Sequence, residues 1–155
     1  MSDNYLLKLY KRVNKLPFGD KLFSLIGGRK APYFATIKPL ITKLEPGECH
    51  CYIKKRRKVE NHIKTVHVIA ICNGLEMAMG FMAEASIPKN LRWIPKGMSV
   101  DYTAKAGSDI RCIARLPNNE WKEGDLPVEV TALDKNDVVV VKGTINLWIS
   151  AKPPK

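Results

Sequence analysis

Acidic residues are scarce. The chain has 155 residues and carries 15 Asp and Glu against 26 Lys and Arg, a formal charge of +11. That excess selects for an anionic partner, whether nucleic acid, membrane lipid, a phosphorylated ligand or an acidic carrier protein, and says nothing about fold. Cysteine is scarce too, with four residues at Cys49, Cys51, Cys72 and Cys112. A chain this long buries a core without disulfide or metal staples. At 45% hydrophobic and 26% charged residues, bulk disorder is excluded. Residues 1–8, MSDNYLLK, lack the uninterrupted apolar stretch and small-residue cleavage site of a secretory signal. A cytoplasmic protein with free thiols is therefore expected. Cys49-His50-Cys51 lacks both zinc-ligand spacing and a second ligand pair, so no metal site is expected. On a strand, Cys49 and Cys51 share one face and His50 takes the other. Residues 66–85 approach membrane-spanning length, but His67, Asn73, Glu76 and Glu84 interrupt them. A carboxylate at the bilayer centre costs about 2.5–3.5 kcal/mol, so a buried helix of a soluble domain is the better reading. Internal repeats, low-complexity tracts and interdomain linkers are lacking as well.

What is present has a clear order. Leu6, Leu9, Tyr10 and Val13 recur at helical spacing over residues 3–15, and Pro17 ends that helix. A short helix with Leu22, Leu25 and Ile26 follows, with Gly27-Gly28 as its expected C-cap. This basic, amphipathic start reads as a helical lid on the domain rather than a membrane-surface anchor. Strands are expected over 35–45 and 48–57, joined at Pro46-Gly47, and then a polar loop over 61–67. A long apolar helix runs from about His67 to Ala85 until Pro88 stops it. Four strands follow, over 91–106, 109–116, 127–133 and 138–149, the last two flanking a turn at 134–137. The fold class is α+β: an antiparallel sheet with one helix against its inner face. The helix is apolar nearly all round, so the sheet must curl around it. The chain suits one domain, with residues 1–28 a helical segment and 29–155 the main body.

Three polar residues around the long helix carry the chemistry worth weighing: Asn61, His67 and Glu76. A helix start offers unpaired N–H groups and partial positive charge, which suit an oxyanion. Glu76 lies nine residues past His67, about 13 Å along the axis, too far for both to reach one carbon. Two antiparallel copies of the helix would bring the start of one to the middle of the other, which predicts a site shared across a dimer. Each residue also has a plain structural reading: Glu76 on a polar stripe or in an ion pair, His67 as an N-cap, Asn61 as a loop former. The basic run Lys54, Lys55, Arg56, Arg57 and Lys58 suits phosphate groups, or serves as a solvated strand end that discourages edge pairing. No aromatic-studded basic strand or reading helix accompanies it, which argues against specific nucleic-acid binding.

The pattern Asn61-His-Ile-Lys64-Thr-Val-His67-Val68-Ile69, followed by Glu76, resembles the hotdog-fold thioesterases. The likeness is strongest to proteins similar to phenylacetyl-CoA thioesterase, whose pattern is Asn-x-x-Gly-x-x-His-Gly-Gly with an acid nine positions after the His. Arg29-Lys-Ala-Pro-Tyr-Phe34, Pro46-Gly47 and Asn61-His62 are similar to a smaller hotdog family without an assigned function. The resemblance covers about residues 29–150. It implies a curved antiparallel sheet wrapped around one central helix, and an acyl-CoA thioesterase working as a homodimer or dimer of dimers. Glu76 would activate water or attack the thioester, Asn61 would position the water or the carbonyl, and the Val68 N–H would hold the oxyanion, with His67 shaping the turn. Lys54, Arg56, Arg57 and Lys58 would face the phosphates of coenzyme A or an acidic acyl carrier protein. The thioester is substrate, and no cofactor is implied. Lys64, Val68 and Ile69 depart from the family glycines, which let the pantetheine arm approach the backbone. Those departures keep a second reading in play, a non-catalytic acyl-CoA or lipid binder on the same scaffold.

Overall fold

The computed structural model describes residues 4–153. Helix α1 spans Tyr5–Val13, and Asn4 caps it by accepting from the Leu6 and Leu7 N–H groups at 2.9 and 3.2 Å. The helix expected over 3–15 is thus shorter at both ends, and residue 3 lies outside the described residues. Helix α2, Gly19–Lys30, runs past the expected cap at Gly27-Gly28 to end at Ala31. It continues because those glycines serve packing: a Cβ at Gly27 would lie 2.4 Å from the Phe81 ring. Phe23 of α2 sits edge-on between Tyr10 and Phe81, with centroids 5.0 and 5.5 Å away. Val13 and Phe23 thereby join the main hydrophobic core.

Strands β1 (Leu40–Glu45) and β2 (Glu48–Ile53) are shorter than the sequence pattern predicts. Residues 34–37 form a 3-10 turn instead, closed by the Thr36 hydroxyl donating to the Tyr33 carbonyl at 2.7 Å, and Lys38 is left-handed ahead of Pro39. β2 stops at Ile53, so the basic run lies beyond the strand, partly in a second 3-10 turn over Arg57–Val59. Helix α3 spans Val68–Ser86. The remaining strands are β3 (Leu91–Tyr102), β4 (Ile110–Arg115), β5 (Gly124–Leu133) and β6 (Val139–Ala151). β3 ends before residue 106 because the chain bends away from β6 at Ala104, after the Thr103 N–H meets the Val140 carbonyl at 2.9 Å, and Ala106 turns its carbonyl to the Val66 N–H at 2.8 Å. β5 begins earlier than expected, through Pro127. That proline is tolerated because the β4 ladder reaches only to Glu129, leaving the start of β5 unpaired on that side.

The strands form one antiparallel sheet in the order β1-β2-β4-β5-β6-β3. It curls around α3, which packs on β1, β2, β4, β5 and β6. Leu75, Met77, Met79 and Met82 are fully buried, each worth about 1.5–3 kcal/mol of transfer free energy. α3 approaches the sheet so closely that a Cβ at Gly74 would meet Ile53 Cδ1 at 2.6 Å and Cys112 Sγ at 2.9 Å. Alternation along β2 puts Cys49 and Cys51 in the core and leaves His50 half-buried on the outer face. α3 is apolar and long enough to cross a bilayer, yet the sheet encloses most of its surface.

Candidate active site

The tip of α3 is a built structure. Asn61 closes the preceding loop: its Oδ1 accepts from the Ile63 and Thr65 N–H groups at 3.1 Å each, and its Nδ2 donates to Thr65 Oγ1 at 2.8 Å. The loop turns at Lys64, whose φ is 60°. The glycine of the resembled family at this position therefore corresponds to a left-handed backbone, which costs a lysine about 1–2 kcal/mol. The loop is pinned on both sides: the Val66 N–H reaches the Ala106 carbonyl at 2.8 Å and the His67 N–H reaches the Val59 carbonyl at 2.7 Å. His67 is the N-cap of α3, its Nδ1 accepting from the Ile69 N–H at 3.1 Å. That bond needs Nδ1 unprotonated and leaves Nε2 to carry the hydrogen. Val68 is the first helical residue, so its N–H has no intrahelical acceptor.

The structure brings Asn61, His67 and Val68 together around one hollow of about 510 Å³ at this tip. Glu76 is not among the residues lining it. It lies nine residues further along a regular helix, about 13 Å up the axis, so one chain does not assemble all four residues. Glu76 occupies the open stripe of α3 together with Ile69, Cys72, Gly80 and Glu84, at three- and four-residue spacing. It has no hydrogen-bond or ion-pair partner among the described residues. Burial, with the Glu76 charge as a smaller contribution, pushes the Cys72 thiol up. The other thiols, Cys49, Cys51 and Cys112, are free, buried and likewise pushed up by burial, Cys51 to about 12, which makes them poor nucleophiles.

The basic run divides. The Lys55 ammonium pairs with Glu60 at 2.7 Å, and the Arg56 guanidinium donates to the Thr36 carbonyl at 3.0 Å. Lys54, Arg57 and Lys58 are exposed, and Lys58 lines a second hollow of about 370 Å³ beside His67, Ile69 and Ala70. Asn73 reaches this hollow too. It is 7% exposed, and its Oδ1 has no hydrogen-bond partner, while Nδ2 makes only long contacts of 3.4 Å to Tyr33 and Thr36. Sequence reasoning missed Asn73 as a site residue. The available signal was a polar amide inside an otherwise apolar helix, which has to find a partner or remain unsatisfied.

A curved antiparallel sheet wrapped on one long helix defines the class: this is the hotdog fold, shared with structurally characterised thioesterase-family proteins. More particularly, the chain belongs to the family described as Domain of unknown function (DUF4442), whose model matches residues 19–149. A structural-genomics protein of known crystal structure is 39% identical, with a TM-score of 0.85 over 96% of this chain and 99% of that one. A Pseudomonas aeruginosa protein of unknown function, described as a probable thioesterase, is 21% identical, with a TM-score of 0.75 over 88% and 97% of the two chains. A thioesterase family protein from Silicibacter pomeroyi is 16% identical, with a TM-score of 0.71 over 88% and 100%. No curated protein matches the chain.

Proposed function

We propose that the protein is an acyl-thioester hydrolase acting as a homodimer or a dimer of dimers, with each site drawn from two protomers. The observation that carries this reading is Glu76: an acid on the open stripe of a mostly apolar helix, with no ion-pair partner among the described residues. A carboxylate on a mostly apolar helix costs free energy unless it is solvated or finds a partner, and a second protomer would offer one. β3 is an edge strand, and Ile94 and Tyr102 on it are 57% and 64% exposed. Pairing two copies there would lay the α3 helices side by side and antiparallel, bringing Glu76 of one protomer toward the α3 tip of the other.

In that arrangement the Glu76 carboxylate takes a proton from water as the water oxygen attacks the thioester carbonyl carbon. The tetrahedral oxyanion accepts from the Val68 N–H, which geometry leaves available. Collapse restores the carbonyl and breaks the carbon–sulfur bond, and Glu76 returns its proton to the departing thiolate. Asn61 has one amide hydrogen left after its loop bond, enough to hold the water or the carbonyl. His67 fixes the turn that aims Val68. Lys58 stands nearest the tip for the coenzyme A phosphates or an acidic carrier protein, with Lys54 and Arg57 exposed beyond it. Arg56, tied to the Thr36 carbonyl, is the least free of the four.

A second reading, binding of acyl-CoA without turnover, draws support from Val68 and Ile69 standing where the resembled family has glycines. Release of free thiol from a panel of acyl-CoA esters separates the two. Hydrolysis that Glu76→Gln abolishes supports the hydrolase, and binding without thiol release supports the carrier.

A further inference from the structure

A second cavity lies away from the α3 tip, beneath the N-terminal helices. Its volume is about 520 Å³. α1 contributes Leu6 and Leu9, α2 contributes Phe23 and Ile26, and α3 contributes Met77 and Phe81. Protein interiors hold few voids larger than a water, and apolar cavities stay dry. A gap of this size with such walls therefore suits an apolar guest of ligand dimensions.

Its two ends differ. At one, Glu84 accepts from the Trp93 indole at 2.9 Å, and the Glu84 carbonyl accepts from Asn4 Nδ2 at 2.7 Å, which ties α1 to α3. At the other, Lys30 and Phe34 line the wall where α2 has ended. Between them Gly80 of α3 faces the space. Glycine inside a helix costs about 1 kcal/mol relative to alanine. Sterics do not demand it here, because a Cβ would meet only Trp93 Cη2 at an ordinary 3.5 Å. What the missing side chain leaves is an opening. Gly80 is one turn beyond Glu76, about 6 Å along the axis and about 40° around it, so the opening adjoins the proposed catalytic acid.

We propose that this cavity is the acyl-chain pocket of the protomer that supplies Glu76, and that α1 and α2 make the protein selective for medium-chain aliphatic thioesters. The cavity follows α3 from Met77 to Glu84, about 10 Å of axis. An extended chain of about eight carbons fills that length, with C–C bonds of about 1.5 Å laid in a zigzag. The chain passes Gly80 and runs under Leu6 and Leu9, its methyl end toward Trp93 and its carbonyl beside Glu76. The assignment rests on the thioesterase reading for its orientation, but the pocket itself is tested by binding alone.

The test titrates non-hydrolysable S-butyl- and S-octyl-CoA thioethers into the full chain by calorimetry. At about fourfold per buried methylene, the octyl compound should bind on the order of 10²-fold more tightly. Leu9→Trp, from the wall facing α3, should cut that ratio to below about threefold with butyl affinity unchanged, whereas Gly80→Leu, at the opening, should lower both affinities. Trp93→Ala, at the methyl end, should shift the preference toward longer chains. Equal affinity for butyl and octyl in the parent overturns the proposal, as does a ratio that survives in folded Leu9→Trp protein. A Leu9→Trp change that alters the sedimentation of the protein but not the ratio overturns it too, because the cavity then seats a second copy. Hydrolysis of the matching esters separates the two levels. Strong chain discrimination without turnover sinks the hydrolase and leaves the pocket. Turnover indifferent to chain length sinks the pocket and leaves the hydrolase.

Discussion

Two glutamates show opposite uses of the same side chain. Glu48, on the outer face of β2, is surrounded by partners: Arg115 at 3.1 Å, Lys43 at 3.0 Å and His50 at 2.6 Å. Burial alone would raise its carboxyl, but the hydrogen bonds from Arg115, Lys43 and His50 outweigh burial and hold it at about 2. Burial also lowers His50 more than Glu48 raises it, so near neutral pH the imidazole meets Glu48 as a neutral donor. Glu76, on α3, has no such company among the described residues. Glu48 is a strut whose charge is spent on its neighbours. Under the proposed function, Glu76 serves the helix tip of a second protomer instead.

The largest expected effect is at Glu76. Glu76→Gln should lower kcat/KM for acyl-CoA hydrolysis by about 10³-fold or more with the melting temperature unchanged, because a general base is lost and no contact is. Equal hydrolysis by the variant would erase the contrast. Next is Val68→Pro, which removes the N–H at the first helical position and exchanges one partly buried apolar side chain for another. Proline is favoured there, and His67 already has the extended backbone that a following proline requires, with φ −62° and ψ 132°. Turnover should fall about 10²-fold while thermal unfolding stays put. Asn61→Ala should instead cost about 1–3 kcal/mol in denaturant titrations, because the Ile63 and Thr65 N–H groups lose their acceptor. Asn61→Asp should recover most of that stability, keeping the acceptor oxygen.

The smallest effect belongs to the strut. Glu48→Gln should cost about 1 kcal/mol at neutral pH and leave turnover intact. The sign follows from a folded-state value of about 2 against the ordinary 4.5. The parent's advantage is complete above about pH 4.5 and fades as the pH falls through about 2. A deficit that persists unchanged at pH 2 would show that packing rather than charge holds Glu48 in place.

Much of the fold is legible in the sequence because its signals are local. The apolar stretch ending before Pro88 marks α3, and the alternation at Ile110, Cys112 and Ala114 marks β4. What resists reading is where tertiary contacts override local pattern. Gly27-Gly28 looks like a helix end, yet α2 continues because Gly27 packs on Phe81 and Gly28 on Ala35. Residues 35–39 look extended, yet the Thr36–Tyr33 bond curls them into a turn. At the site, the spacing from Asn61 to Glu76 is visible in the sequence, but the occupation of the Asn61 and His67 side chains by their own loop is not. Nor is the apolar cavity under α1 and α2, because its walls come from segments about 80 residues apart.

The central claim, one acid from each protomer serving the helix tip of its mate, has a direct test in subunit mixing. Glu76→Gln and Val68→Pro proteins, each inactive alone, are mixed, dissociated and reassociated. Each mixed dimer then holds one doubly damaged site and one intact site. Thioesterase activity should return to about a quarter of the parent's, since half of the dimers are mixed and each restores one of two sites. Reassociation that yields mixed dimers but no activity contradicts a shared site.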